Sequence, residues 1–120
     1  MTVAPKRVLL VDDNADAVAV LAIALRRAGH EVHQAFDGRT ALEVARRVRP
    51  DLLFLDVGLP QLDGFGVARQ LRLDPDLKNM RIIGLTGHAR DRDREEAREA
   101  GFDQYLVKPI DLDFIDSLLG

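Results

Sequence analysis

The sequence predicts an α/β domain built on a five-stranded parallel sheet with helices on both faces. Three observations carry that prediction. Short apolar runs recur five times, each ends on polar or charged residues, and a helix-forming segment follows each one. Runs without polar alternation suit strands covered on both sides. Right-handed crossovers between such strands then make a doubly wound sheet the natural outcome.

The elements follow in order. Arg7-Val8-Leu9-Leu10-Val11 is the first run and stops abruptly at Asp12-Asp13. Val18, Leu21, Ala22, Leu25 and Ala28 recur at helical spacing, with Asp13 or Asn14 placed to cap the start and Gly29 the end. Val32 to Phe36 reads as a strand and Thr40 to Val48 as a helix closed by Pro50. Leu52-Leu53-Phe54-Leu55 is the most apolar run and ends at Asp56. Asp63-Gly64 opens a third helix carrying Val67, Ala68 and Leu71, which Asp74-Pro75 breaks. Ile82-Ile83-Gly84-Leu85 is a fourth strand ending at Thr86. Arg90 to Ala100 is helix-forming but almost wholly charged, with Ala97 and Ala100 as its small apolar contacts and Gly101 as its stop. Tyr105-Leu106-Val107 is a fifth strand running into Lys108-Pro109, and Phe114, Ile115, Leu118 and Leu119 mark a last short helix. His30, in a turn, and His33 read as surface residues without a third metal ligand nearby.

Composition sets the outer bounds. A chain of 120 residues has the common size of one domain, here 1–120, with no repeat or internal linker. Its 17 basic and 20 acidic side chains leave a net charge of −3, which argues against a direct nucleic-acid surface. The absence of cysteine excludes disulfides, thiolate metal sites and cysteine nucleophiles. No apolar run approaches a membrane span and the N-terminus lacks a signal-peptide pattern, so the expectation is a cytoplasmic domain without membrane insertion.

Ligands of open α/β sheets bind beyond the carboxyl ends of the strands, so the strand ends form one list. They are Asp12 and Asp13, Asp56, Thr86 and Lys108, the last being one of three lysines in the chain. Each has a plain reading alone: helix cap, turn residue, strand end, or a lysine before a helix-starting proline. Together they put three carboxylates beside one hydroxyl and one ammonium. Like charges that close are costly unless a cation sits among them, and a hard divalent ion such as magnesium suits oxygen donors and several waters.

These residues, with Leu55-Asp56-Val57-Gly58-Leu59-Pro60, Asp63-Gly64, Tyr105 and Lys108-Pro109, resemble the response-regulator receiver domain of two-component signalling over essentially the whole chain. The resemblance implies the flavodoxin-like strand order 2-1-3-4-5 with five helices. It further implies that Asp56 accepts a phosphoryl group from the phosphohistidine of a histidine kinase or histidine phosphotransfer protein. Asp13, Asp56 and the Gly58 carbonyl would ligate Mg2+, with Asp12 acting largely through an intervening water. Lys108 and Thr86 would hold the phosphoryl oxygens and Tyr105 would turn inward as Thr86 moves. Receivers usually carry a cis bond before this proline, so Lys108–Pro109 shares that expectation. Gly58 brings no side chain to the phosphoryl group, and His88 stands where dephosphorylation is tuned in the family, against a plain loop histidine.

The switching face is expected at the charged fourth helix, the fifth strand and the last helix, where a downstream effector would read it; weak homodimerisation is left open. The domain would take and hold a group rather than turn over substrate. A haloacid-dehalogenase-type phosphatase would want an aspartate where Gly58 stands and room for a cap domain. A mononucleotide binder is opposed by the acidic site and the lack of a Ser/Thr/Gly-rich phosphate loop. The remaining alternative is a degenerate receiver used as a phosphorylation-independent scaffold, against which the complete residue set speaks. The Asp-Val-Gly-Leu-Pro run with Thr86-Gly87 is similar to receivers attached to hybrid sensor histidine kinases.

Overall fold

The computed structural model describes residues 6–57, 64–87, 91–107 and 113. In chain order these form β1 (Arg7–Val11), α1 (Ala15–Arg27), β2 (Glu31–Ala35), α2 (Gly38–Val48) and β3 (Leu52–Asp56). They continue with α3 (Gly64–Arg72), β4 (Arg81–Thr86), α4 (Asp91–Ala100) and β5 (Gln104–Val107), a single 3-10 turn at Pro75–Leu77 preceding β4. All strands pair in parallel in the order β2-β1-β3-β4-β5. Four α-helices lie among the described residues; the expected last helix at 114–119 lies outside them.

The continuous apolar runs work as double-sided strands. Leu9 and Val11 of β1, with Leu53 and Leu55 of β3, pack into one core with α2, α3 and α4. Their neighbours Val8, Leu10, Leu52 and Phe54 pack into a second core against Val18, Leu21, Ala22 and Leu25 of α1. The two-residue period of a strand thus divides the hydrophobic residues between two layers. In α4 only Ala97 and Ala100 are buried among the side chains described, as its charged sequence requires.

Local chemistry sets the helix ends. Asn14 starts α1: its carbonyl accepts from Val18 N–H at 3.2 Å and its side chain from Asp16 N–H at 3.1 Å. Asp37 caps α2 by accepting from Thr40 N–H at 2.8 Å and from the Thr40 hydroxyl at 3.1 Å. Those bonds favour the ionised carboxylate and hold its pKa below the ordinary 3.8. At the other end of α2, Arg49 takes the left-handed conformation with φ 54°, ahead of Pro50. His30 departs from its sequence reading as a surface residue. It is buried, because its Nδ1 accepts the Lys6 N–H at 3.0 Å and ties the chain before β1 to the turn before β2.

At the amino end of β4, one arginine gathers four segments. Arg72 donates to Met80 O at 2.6 Å and to Gly101 O at 2.8 Å, and pairs with Asp103 at 2.7 Å. The same Asp103 oxygen accepts Ile82 N–H at 2.8 Å. Gly101, at φ 106°, is the residue that can turn here, since a Cβ would strike the Arg72 side chain. Arg72→Met should keep the apolar stem, strand two carbonyls and one carboxylate, and cost about 3 kcal/mol in denaturant unfolding. A loss under 1 kcal/mol would show that water replaces the guanidinium.

Candidate functional site

Topology places the site. β1 turns to β2 on one side and to β3 on the other, so the crevice at their carboxyl ends is the switch point of the sheet. Register makes those ends level: Val11 pairs with Leu55, Asp56 with Leu85, and Thr86 with Val107. The residues that follow β1 and close β3 therefore meet without any long side chain having to reach.

The structure brings Asp12, Asp13 and Asp56 together: each offers a carboxylate oxygen, and these oxygens lie within 4.8 Å of one another. Asp12 and Asp56 are buried, with Asp56 8% exposed, and Asp13 is open to solvent. The Asp12 carboxylate is oriented from its own loop, by Asn14 N–H at 2.9 Å, while its backbone N–H continues the sheet to Ala35 O at 3.2 Å. Beyond Asp56 the ladder runs one residue further, Val57 N–H donating to Leu85 O at 3.0 Å. The carboxyl end of β3 is thus held against β4 while the carboxylates crowd.

That donor set fits a magnesium ion. Octahedral ligation at about 2.0–2.1 Å spaces its oxygens roughly 3–4 Å apart, close to the observed cluster, and leaves the solvent side for water. The buried position of Asp12 and Asp56 lowers the dielectric between them, which strengthens both their mutual repulsion and their attraction for a cation.

Two further features were not legible as site elements. Gly64 lets the first turn of α3 press on the end of β3. A Cβ there would lie 2.6 Å from Val57 Cα and 2.8 Å from Asp56 O. Gly84 makes room in β4 for an aromatic cluster, since its Cβ would meet Tyr105 and Phe102 ring carbons at 2.7 and 2.8 Å. Phe65 packs edge-on against Phe102 at 5.8 Å between centroids, and Tyr105 lies 6.3 Å from Phe65 and 6.1 Å from Phe102. Strand periodicity puts buried Thr86 on the same face of β4 as Gly84, so it continues the row that ends at these rings. A glycine inside an apolar strand was the available signal. Tyr105 is half-buried, and Gly87 next to Thr86 has open space where a side chain would be. Gly58, His88, Lys108 and Pro109 lie outside the described residues.

Comparison with known proteins adds identity to geometry. A family model for the response regulator receiver domain matches residues 8–119. The transcriptional regulatory protein PrrA of Mycobacterium leprae is 43% identical over 109 residues, which are 90% of this chain and 46% of PrrA. The polar-differentiation response regulator DivK of Brucella anthropi is 33% identical over 115 residues, 95% of this chain and 94% of DivK. The chain therefore spans less than half of PrrA and nearly all of DivK. Among solved structures, the receiver domain of a sensor histidine kinase from Pseudomonas aeruginosa PAO1 superposes with a TM-score of 0.86 at 35% identity. That match covers 97% of this chain and 95% of the other, and the structure carries a magnesium ion coordinated in its active-site cleft. Strand order, crowded carboxylates at the switch point and a match running through nearly every residue lead to one conclusion: the chain belongs to the response regulator receiver domain family.

Proposed function

We propose that this domain receives a phosphoryl group from a phosphohistidine on Asp56 and changes its surface while it holds it. The observation that carries this reading is the convergence of three carboxylates within 4.8 Å at the switch point, with Asp56 buried at the end of a rigid strand. An Asp56 carboxylate oxygen forms a bond to phosphorus as the phosphorus–imidazole bond breaks, the electron pair leaving with the imidazole nitrogen. Little covalent assistance is needed; the transition state asks for alignment and charge neutralisation. A bound Mg2+ would supply that neutralisation, held by Asp13, Asp56 and the Gly58 carbonyl, with Asp12 in support.

Thr86 would donate its hydroxyl to the phosphoryl oxygens and Lys108 would bring a point charge. Movement of Thr86 would vacate space for Tyr105, half-buried beside Phe102, to turn inward, carrying the change to β5 and α4. That surface is the natural one to respond, because among the described side chains of α4 only Ala97 and Ala100 are buried. The domain takes one group and keeps it, in exchange with a histidine kinase or phosphotransfer protein on one side and an effector on the other. Among the described residues no helix is long and apolar enough to cross a membrane.

Intact mass after incubation with magnesium and acetyl phosphate tests the reading: one added phosphoryl group is expected, and none without the metal. No gain, together with no response to beryllofluoride, would overturn it in favour of a scaffold. The switch has its own check. Beryllofluoride should shift amide resonances at Thr86, in α4 and in β5 more than those of β2 and α2, and equal shifts throughout would refute a localised face.

A further inference from the structure

The solvent side of α1 is unlike that of an ordinary surface helix. Its inner stripe of Val18, Leu21, Ala22 and Leu25 is buried. Its outer side nonetheless carries Val20, 64% exposed, and Ile23, 52% exposed, where polar residues belong. At 100° per residue, Asp16, Val20, Ile23 and Arg27 share an arc of about 60°. Asp16 and Arg27 are both exposed, and neither forms an ion pair among the described residues. Arg26, by contrast, is engaged with Val32 O at 3.1 Å.

The order of these residues is self-complementary. About the midpoint between Leu21 and Ala22, Val20 mirrors Ile23, Ala19 mirrors Ala24, and Asp16 mirrors Arg27 with the opposite charge. A two-fold axis through that midpoint lays a second copy of the helix antiparallel on the first. Val20 then meets the partner's Ile23, Ala19 meets the partner's Ala24, and Asp16 meets the partner's Arg27 at both ends. Such a surface, complementary to itself under a two-fold rotation, is what an isologous dimer requires. The alanines admit the close approach of about 8–10 Å that packed helices need. We infer that the exposed face of α1 is the dimerisation surface of this chain, its occupant a second copy bound antiparallel. One helix pair buries less than the roughly 1,200 Å² of a standard interface, so the dimer is weak and exchanges rapidly. The inference does not depend on phosphoryl chemistry.

Sedimentation velocity of the whole chain across a concentration series tests it, with Asp16→Arg and Arg27→Asp alone and mixed. The native chain should self-associate at high concentration. Each reversal alone sets like charges together at both ends and should weaken association about tenfold. An equimolar mixture of the two variants should recover it as a heterodimer, because every end contact again joins unlike charges. That recovery also shows that both variants are folded. A native chain that stays monomeric would overturn the inference and leave the face to another protein. Association indifferent to both reversals, or lost without recovery in the mixture, would overturn it equally.

Discussion

Asp56→Asn should take no phosphoryl group from acetyl phosphate and should unfold at a higher temperature than the native chain when magnesium is absent. The two effects have one cause. Asparagine keeps the size and shape of the side chain but removes both the nucleophilic charge and one of three crowded negative charges. At separations of up to 4.8 Å, each carboxylate pair repels by roughly 3 kcal/mol at an effective dielectric of about 20. Relaxation and solvent reaching Asp13 reduce this, leaving a net gain of about 1–2 kcal/mol in the metal-free variant. Added magnesium should reverse the order, because it stabilises the native cluster by mass action and binds the variant poorly. Melting curves with and without magnesium read both terms. A variant less stable than the native chain in the absence of metal would mean that hydrogen bonds to Asp56 outweigh the repulsion.

Gly64→Ala should cost about 3 kcal/mol and slow phosphoryl acceptance on the order of 10²-fold, although position 64 carries no reacting group. The new methyl carbon would sit 2.6 Å from Val57 Cα and 2.8 Å from Asp56 O, and both are backbone atoms of a strand end already bonded to β4. A rotamer change cannot relieve that contact. Either α3 moves outward, opening the core at Val67 and Ala68, or the end of β3 shifts and takes the Asp56 carboxylate with it. Gly84→Ala is the informative comparison, since its clash falls on ring atoms of Phe102 and Tyr105, which can turn. It should retain acceptance near the native rate while altering the response of β5. Equal acceptance by native chain and Gly64→Ala would show that the acceptor end of the sheet is softer than its hydrogen bonds indicate.

The parts of this molecule that were readable in advance are those set by neighbours in sequence. An apolar run bounded by Asp12 or Asp56 announces both a strand and what stands at its end, because the run must be buried and the aspartates must not leave solvent without compensation. The parallel order then brings the carboxylates together, so the cluster followed from the fold. What stayed hidden depends on distant partners. His30 looked like a surface turn residue because nothing local reveals the Lys6 amide that it accepts. The 3-10 turn at Pro75–Leu77 was read only as a break, although Asp74 caps it by accepting Asp76 N–H. Nothing local singles out Arg72, since its acceptors at Met80 and Gly101 are 8 and 29 residues away. Gly64 showed as a helix opener, whereas its closeness to Val57 emerges only when two elements are packed.

The Arg72 contacts have a mechanical consequence. They fasten the carboxyl end of α4, through Gly101, to α3 and to the start of β4, at the pole of the sheet away from the carboxylates. A rod pinned at one end pivots, and its displacement grows with distance from the pin. Small movements prompted at the strand ends would therefore be levered into larger excursions toward the amino end of α4, where Arg94 donates to Tyr105 O at 3.3 Å and Glu96 pairs with Arg69 at 3.6 Å, while the pinned end preserves the packing of Ala97 and Ala100. Loosening that pin would turn a directed swing into diffuse wandering, at no cost to the chemistry of the site itself.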